Sequence, residues 1–199
     1  THFVNKEDIM VKVLAFSGST RSGSLNQALV ENAADAAREA GAEVTVINLA
    51  DYAMPIFNQD EEDEYGIPER AQAFKQLLID HDAFLIASPE YNSSYPAVLK
   101  NAIDWASRKA GDEAMLAAYK NKVVGLMAAS PGALGGMRVL VVLRMLMQNL
   151  MCVVTPAQVS VAKAADKLTD AGKLTDDTAK KQLANLASQV VSMAEKLKD

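Results

Sequence analysis

Nine consecutive residues carry the densest chemistry in the chain: Gly18-Ser19-Thr20-Arg21-Ser22-Gly23-Ser24-Leu25-Asn26. An apolar run precedes them and a helical pattern follows, so this loop joins a strand to a helix. The amides at a helix start have no partner within the helix, and together with the helix dipole they favour an anion. Ser19, Thr20, Ser22 and Ser24 add hydroxyl donors, Asn26 a carboxamide and Arg21 a cation. Gly18 and Gly23 let backbone come close to a ligand. The plainer reading is a helix capped by Ser22 or Ser24. A cap alone does not call for two glycines, four hydroxyls and an arginine in nine residues, so a phosphate cradle is expected alongside the cap.

The type of phosphate can be narrowed. Gly18 and Gly23 have the Walker glycine spacing, but Ser24 stands where the phosphate-reaching lysine belongs, which argues against nucleotide hydrolysis. The Gly-x-Gly-x-x-Gly fingerprint of a dinucleotide site is missing too. A hydroxyl-rich loop suits one terminal phosphate wrapped on most sides, such as the one FMN carries.

Two more loops are chemically unusual. Ser88-Pro89-Glu90-Tyr91-Asn92-Ser93-Ser94-Tyr95-Pro96 follows an apolar run. Tyr91 offers part of a flat wall for a flavin ring, and Asn92 or exposed amides offer hydrogen bonds to its pyrimidine edge. By itself the segment also reads as a polar, proline-rich turn. Ala129-Ser130-Pro131-Gly132-Ala133-Leu134-Gly135-Gly136 holds three glycines at a strand-to-helix turn, read either as backbone lying against a ligand or as a plain connector.

The elements that must position these loops alternate along the chain. Strand patterns cover Val11 to Phe16, Glu43 to Leu49, Ala83 to Ala87, Lys122 to Ala128 and Cys152 to Val161, the last interrupted at Pro156. Helical patterns cover Ser24 to Ala40, Pro68 to Asp80, Tyr95 to Arg108, Gly136 to Leu150 and Thr178 to Leu197. Asp51 to Pro68 reads as irregular, with the acidic run Asp60 to Glu64 as a solvated loop or, less simply, part of a pocket rim. Five strand-then-helix repeats imply one α/β domain, a parallel sheet covered on both faces with right-handed crossovers. The common order 2-1-3-4-5 puts the ligand at the carboxyl ends of strands one and three, where the three loops would converge.

Composition removes other classes. The chain has 199 residues, a net charge of −5 and an apolar fraction of 50%. That fits a globular domain and disfavours a nucleic-acid binder. No apolar run is long enough for a membrane span. Thr1 to Asp8 is polar and reads as a native extension or an appended remnant. The single cysteine, Cys152, fits a reducing cytoplasm and reads as a buried structural thiol. Two histidines, His2 and His81, leave little material for a zinc site or a Ser-His-Asp triad, and His81 reads as a helix-end residue.

The chain resembles the NADPH-dependent FMN reductase family, which includes bacterial quinone, chromate and azo reductases. The stretches that carry the resemblance are Gly18 to Asn26, Pro89 to Asn92 with Pro96, Leu99-Lys-Asn-Ala-Ile-Asp-Trp105, and Ser130 with Gly135-Gly136. The resemblance implies a flavodoxin-like fold, with Ser19, Arg21, Ser24, Leu25 and Asn26 around the FMN phosphate. It implies that Pro89, Glu90, Tyr91 and Asn92 lie against the isoalloxazine and that Ser130 completes the ribityl and ring contacts. The expected activity passes hydride from NADPH or NADH through bound FMN to quinone-like or other small acceptors, with no side chain acting as acid or base. A reductase of free FMN and a flavodoxin-like electron carrier are the rivals. Val139 to Met151 is apolar around most of its circumference. That suits a helix deep in its own core or, with Trp105, a subunit interface. The resemblance favours a homodimer or homotetramer.

Overall fold

The structure, a computed structural model, describes residues 10–198. Thr1 to Asp8 and His2, discussed above, lie outside the described residues. Five strands form one sheet: β1 (Lys12–Ser17), β2 (Glu43–Asn48), β3 (Ala83–Ala87), β4 (Val123–Ala129) and β5 (Val153–Val161). Every pairing is parallel, and the order is β2-β1-β3-β4-β5. This is the expected doubly wound, flavodoxin-like arrangement.

Among the described residues there are six helices, α1 (Leu25–Glu39), α2 (Gln59–Tyr65), α3 (Glu69–Asp80), α4 (Ala97–Ser107), α5 (Met137–Asn149) and α6 (Asp177–Leu197), of which all but α2 pack on the sheet. β3 and β4 are buried along their whole length, as continuous apolar runs between two helical layers must be. On one face, Val13, Ala15, Leu85 and Met127 pack against Leu29 and Ala33 of α1 and Leu186 and Val190 of α6. On the other, Phe16, Phe84, Ile86 and Leu126 pack against Phe74 of α3, Ile103 of α4 and Leu143 of α5. Alternation of side chains across each strand separates the two cores.

Three details differ from the sequence reading. The acidic run is helical, not a loop. The Asn58 side chain accepts the Asp60 amide, and three acidic residues sit in the first turn of α2, at the positive end of the helix dipole. The run has no apolar periodicity, so its helix leaves no trace in the hydrophobic pattern. Trp105 is no surface residue: it is buried to 1% exposure, its ring stands edge-on to Phe57, and its Nε1 donates to the Pro55 carbonyl at 2.8 Å. The sheet is continuous past Pro156, because β5 bulges there. Val124 pairs with Val154 and Leu126 with Gln158, so the extra residues loop out on an edge strand, where a missing amide is tolerated.

Cys152 and His81 behave as the sequence suggests. Burial pushes the Cys152 thiol up to about 12, which keeps it protonated and inert at neutral pH. His81 closes α3, with Nδ1 hydrogen-bonded to the Leu77 carbonyl and Nε2 to the Thr45 hydroxyl.

Candidate functional site

The chain leaves β1 toward β2 on one side and returns to place β3 on the other. The loops after β1 and β3 therefore part at the carboxyl edge and open a crevice between them. The register aligns Ser17 with Ala87, and Ala87 with Met127. The first loop starts pinned to its neighbour, since the Gly18 amide donates to the Ala87 carbonyl at 2.8 Å. Gly18 is required by packing, because a Cβ there would lie 2.8 Å from Leu99 Cδ2 of α4.

A cleft of about 250 Å³ lies at this edge. Ser19, Arg21, Ser24, Leu25 and Asn26 line it from the first loop, Pro89, Glu90 and Tyr91 from the second, and Ala129, Ser130 and Pro131 from the third. Nine of the ten residues singled out from the sequence are thus brought together. Asn92 is not on the lining. It sits with Ser93 at the tip of a two-residue hairpin, both at positive φ (52° and 68°), closed by paired hydrogen bonds between Tyr91 and Ser94. This is the primed turn geometry that asparagine tolerates. The turn leaves the Tyr91 side chain 57% exposed, an open aromatic face beside the cleft.

Within the first loop, the two readings of the serines hold together. Ser24 caps α1 by accepting the Gln27 amide at 3.2 Å. The Leu25 and Asn26 amides, ahead of it in the first turn, lie beyond the reach of intrahelical acceptors and face the loop. Ser17 Oγ accepts the Ser19 amide, and Ser19 Oγ accepts the Arg21 amide, which curls the loop over the helix start. Arg21 lies exposed, its guanidinium donating to the Ser22 and Gly23 carbonyls. This donor set (two serine hydroxyls, first-turn amides and one guanidinium) fits a phosphate.

Two of the expected ligand contacts also have structural duties. The buried Asn26 side chain donates to the Ala129 carbonyl and accepts the Ala129 amide, both at 2.9 Å. It ties α1 to the end of β4 through one donor and one acceptor. In the third loop, Gly135 and Gly136 are demanded by the protein rather than by a ligand. Both have positive φ, and a Cβ at Gly136 would lie 2.7 Å from Ala128 Cβ.

Arg138 is a site residue that the sequence reading missed. α5 has no cap from its own sequence, because Gly136 occupies the N-cap position. Glu90 supplies the cap from the second loop, accepting the Arg138 amide at 3.0 Å and the Val139 amide at 3.2 Å, while the Arg138 guanidinium forms an ion pair with it. Burial opposes ionisation of Glu90, but the Arg138 hydrogen bonds and charge and the two α5 amides outweigh it. They hold the carboxyl below the ordinary glutamate range. No local pattern could reveal this pair, whose members lie 48 residues apart.

Asp60 to Glu64 contribute nothing to the cleft lining. α2 instead reaches Arg108, just past α4, and the Arg108 Nε–H is shared by both Glu62 carboxylate oxygens at 2.8 Å. Among the described residues there is no cluster of metal-ligating side chains, and no helix is long and apolar enough to cross a membrane.

Comparison with known proteins agrees with the geometry. The pattern of NADPH-dependent FMN reductases matches residues 11–166. The chain is 34% identical to an NAD(P)H-dependent FMN reductase of Pseudomonas aeruginosa over 85% of this chain and 88% of the relative. It is 36% identical to a 2-hydroxy-1,4-benzoquinone reductase of Burkholderia sp. over 63% of each chain. Among solved structures it is similar to a flavoenzyme NAD(P)H:(acceptor) oxidoreductase of Paracoccus denitrificans. That match has a TM-score of 0.76 and 28% identity, and covers 94% of this chain and 98% of that one.

Proposed function

Since the chain belongs to the NADPH-dependent FMN reductase family, we propose that it is an FMN-dependent oxidoreductase passing electrons from NAD(P)H to quinone-like small acceptors. The observation that carries this reading is the convergence of an anion-binding helix start and an exposed aromatic face on one cleft at the switch point. FMN, when bound, supplies the hydride chemistry, and the protein supplies orientation and electrostatics.

The residue roles proposed are those the family resemblance implies, and the cleft lining supports them. Ser19, Ser24, Arg21 and the amides of Leu25 and Asn26 hold the phosphate. Ser130 stands on the lining opposite, within the third loop, and contacts the ribityl chain. Pro89 and Tyr91 provide the wall for the ring. Glu90 and Asn26 are positioning residues, since their polar atoms are committed to α5 and β4. The proposed hydride transfer needs no side chain as acid or base, so no catalytic residue is assigned.

The purified protein is expected to be yellow and to lose its visible flavin band on addition of NADPH, regaining it with a quinone. A colourless protein that takes up no added FMN refutes the proposal. Flavin that stays with the protein through gel filtration indicates a resident cofactor. Flavin that separates indicates FMN used as a substrate.

The assembly proposed is a homodimer or homotetramer. On α5, Met137, Val141 and Met145 are 52%, 65% and 57% exposed at four-residue spacing, an apolar stripe on the side away from the buried Val139, Leu143 and Met147. Such a stripe is a self-association surface. A monomeric mass by light scattering at micromolar concentration refutes it. The free, buried Cys152 thiol supports a reducing compartment, the cytoplasm, as the site of action.

A further inference from the structure

We propose that Glu90 and Arg138 are a charge-balancing pair that lowers the affinity of the cleft for the reduced, more anionic form of its flavin; the proposal rests on the FMN reading above. α5 needs a cap that its own sequence does not provide. A serine or glutamine on the second loop would satisfy the same two amides without bringing a negative charge to a cleft built for an anion. A carboxylate at this place is therefore electrostatically adverse to the phosphate and to reduced flavin alike. Its charge is compensated by Arg138 and by the helix N-terminus, but not symmetrically. The Glu90 side chain is 7% exposed and lines the cleft, whereas the Arg138 side chain is 56% exposed and does not. Solvent screens Arg138 more than Glu90. The pair thus adds a residual negative potential on the second-loop side of an otherwise anion-binding cleft, which makes reduced flavin a better donor to the acceptor.

The two members should consequently act in opposite directions. Glu90→Gln keeps an oxygen for the α5 amides while removing the charge. It should favour reduced over oxidised FMN by about three- to tenfold relative to the unaltered protein, a rise in two-electron midpoint potential of roughly 15–30 mV. Arg138→Gln leaves the carboxylate uncompensated and should lower the potential by a smaller factor, because solvent screens the exposed Arg138 more. It should also weaken oxidised FMN, because the phosphate meets the same charge. The double variant Glu90→Gln/Arg138→Gln, with a neutral hydrogen-bonding pair, removes the residual negative potential and should lie above the unaltered value but below Glu90→Gln alone.

The experiment is a dye-equilibrated reductive titration of FMN-loaded protein. An FMN fluorescence-quenching titration and an apo-protein melting curve accompany it for each variant. Opposite single shifts, with the double variant between the unaltered protein and Glu90→Gln, support the pair as an electrostatic device, whereas a double variant equal to the unaltered protein overturns it. Shifts in the same direction, or unchanged potentials with lowered melting temperature, overturn it and leave a purely structural tie. If the unaltered protein binds no FMN at all, the functional reading itself falls, an outcome the quenching titration separates from the others.

Discussion

Replacing Arg21 with alanine tests the phosphate cradle most directly. In the structure the guanidinium spans its own loop, donating to the Ser22 carbonyl at 3.1 Å and the Gly23 carbonyl at 2.9 Å. The residue is exposed, so these contacts are water-replaceable and their loss should leave fold stability within about 0.5 kcal/mol. A phosphate offers the same donors a charged acceptor, and hydrogen bonds of that kind contribute about 1.5–3 kcal/mol. At about 1.36 kcal/mol per decade, Arg21→Ala should raise the Kd for FMN roughly 10- to 150-fold. Arg21→Lys, a point charge without the planar fork, should fall between. Titration of apo-protein into FMN, followed by quenching of flavin fluorescence, measures the effect. Riboflavin, which lacks the phosphate, is the control and should bind the variant and the unaltered protein alike. Less than a threefold change for FMN, or an equal loss for riboflavin, would refute the assignment of Arg21 to the phosphate.

Three further predictions concern the scaffold that positions the cleft. Gly136→Ala combines a left-handed backbone with a Cβ 2.7 Å from Ala128 Cβ. It should cost about 2–5 kcal/mol in urea unfolding, and a loss below 1 kcal/mol would show that the third loop is pliant. Asn101 holds the segment before α2 by donating to the Pro55 carbonyl and accepting the Phe57 amide, both at 2.8 Å. Asn101→Ala leaves that amide unpaired, so it should cost about 1–3 kcal/mol and open residues 51–66 to limited proteolysis, while Trp105 still holds Pro55. Burial raises both the Cys152 thiol, to about 12, and the Tyr119 phenol above their ordinary values. Their contribution to stability is therefore complete below the unfolded-state thiol value near 8.5 and is lost as pH rises toward 12. Cys152→Ala should flatten that decline in denaturation curves between pH 8 and 10.5, and an unchanged slope would count against it.

The periodic apolar runs made the architecture legible in the sequence. β3 was bounded to the residue, and the other strands and most helices to within one or two, because a parallel sheet between two helical layers needs continuous apolar strands and striped helices. The phosphate loop was legible for a local reason: a helix start, its cap and its anion-binding donors are neighbours in the chain. α2 was hidden because its stability comes from a cap and a charge pair with Arg108, neither of which has a period.

The sequence by itself determined the fold class, the order of the strands and the loop proposed to meet the phosphate, since the first two follow from the alternation of apolar strands and striped helices and the third from residue types at short spacing. Only the tertiary structure decided how the remaining polar groups are used. It used the Asn26 side chain as a tie to β4, moved Trp105 from a surface to the core, and kept Asn92 at a hairpin tip off the lining. It also joined Glu90 to Arg138. The physical reason is that a buried donor or acceptor must find a partner wherever the fold puts one, and those partners lie far apart in the chain, where spacing carries no information.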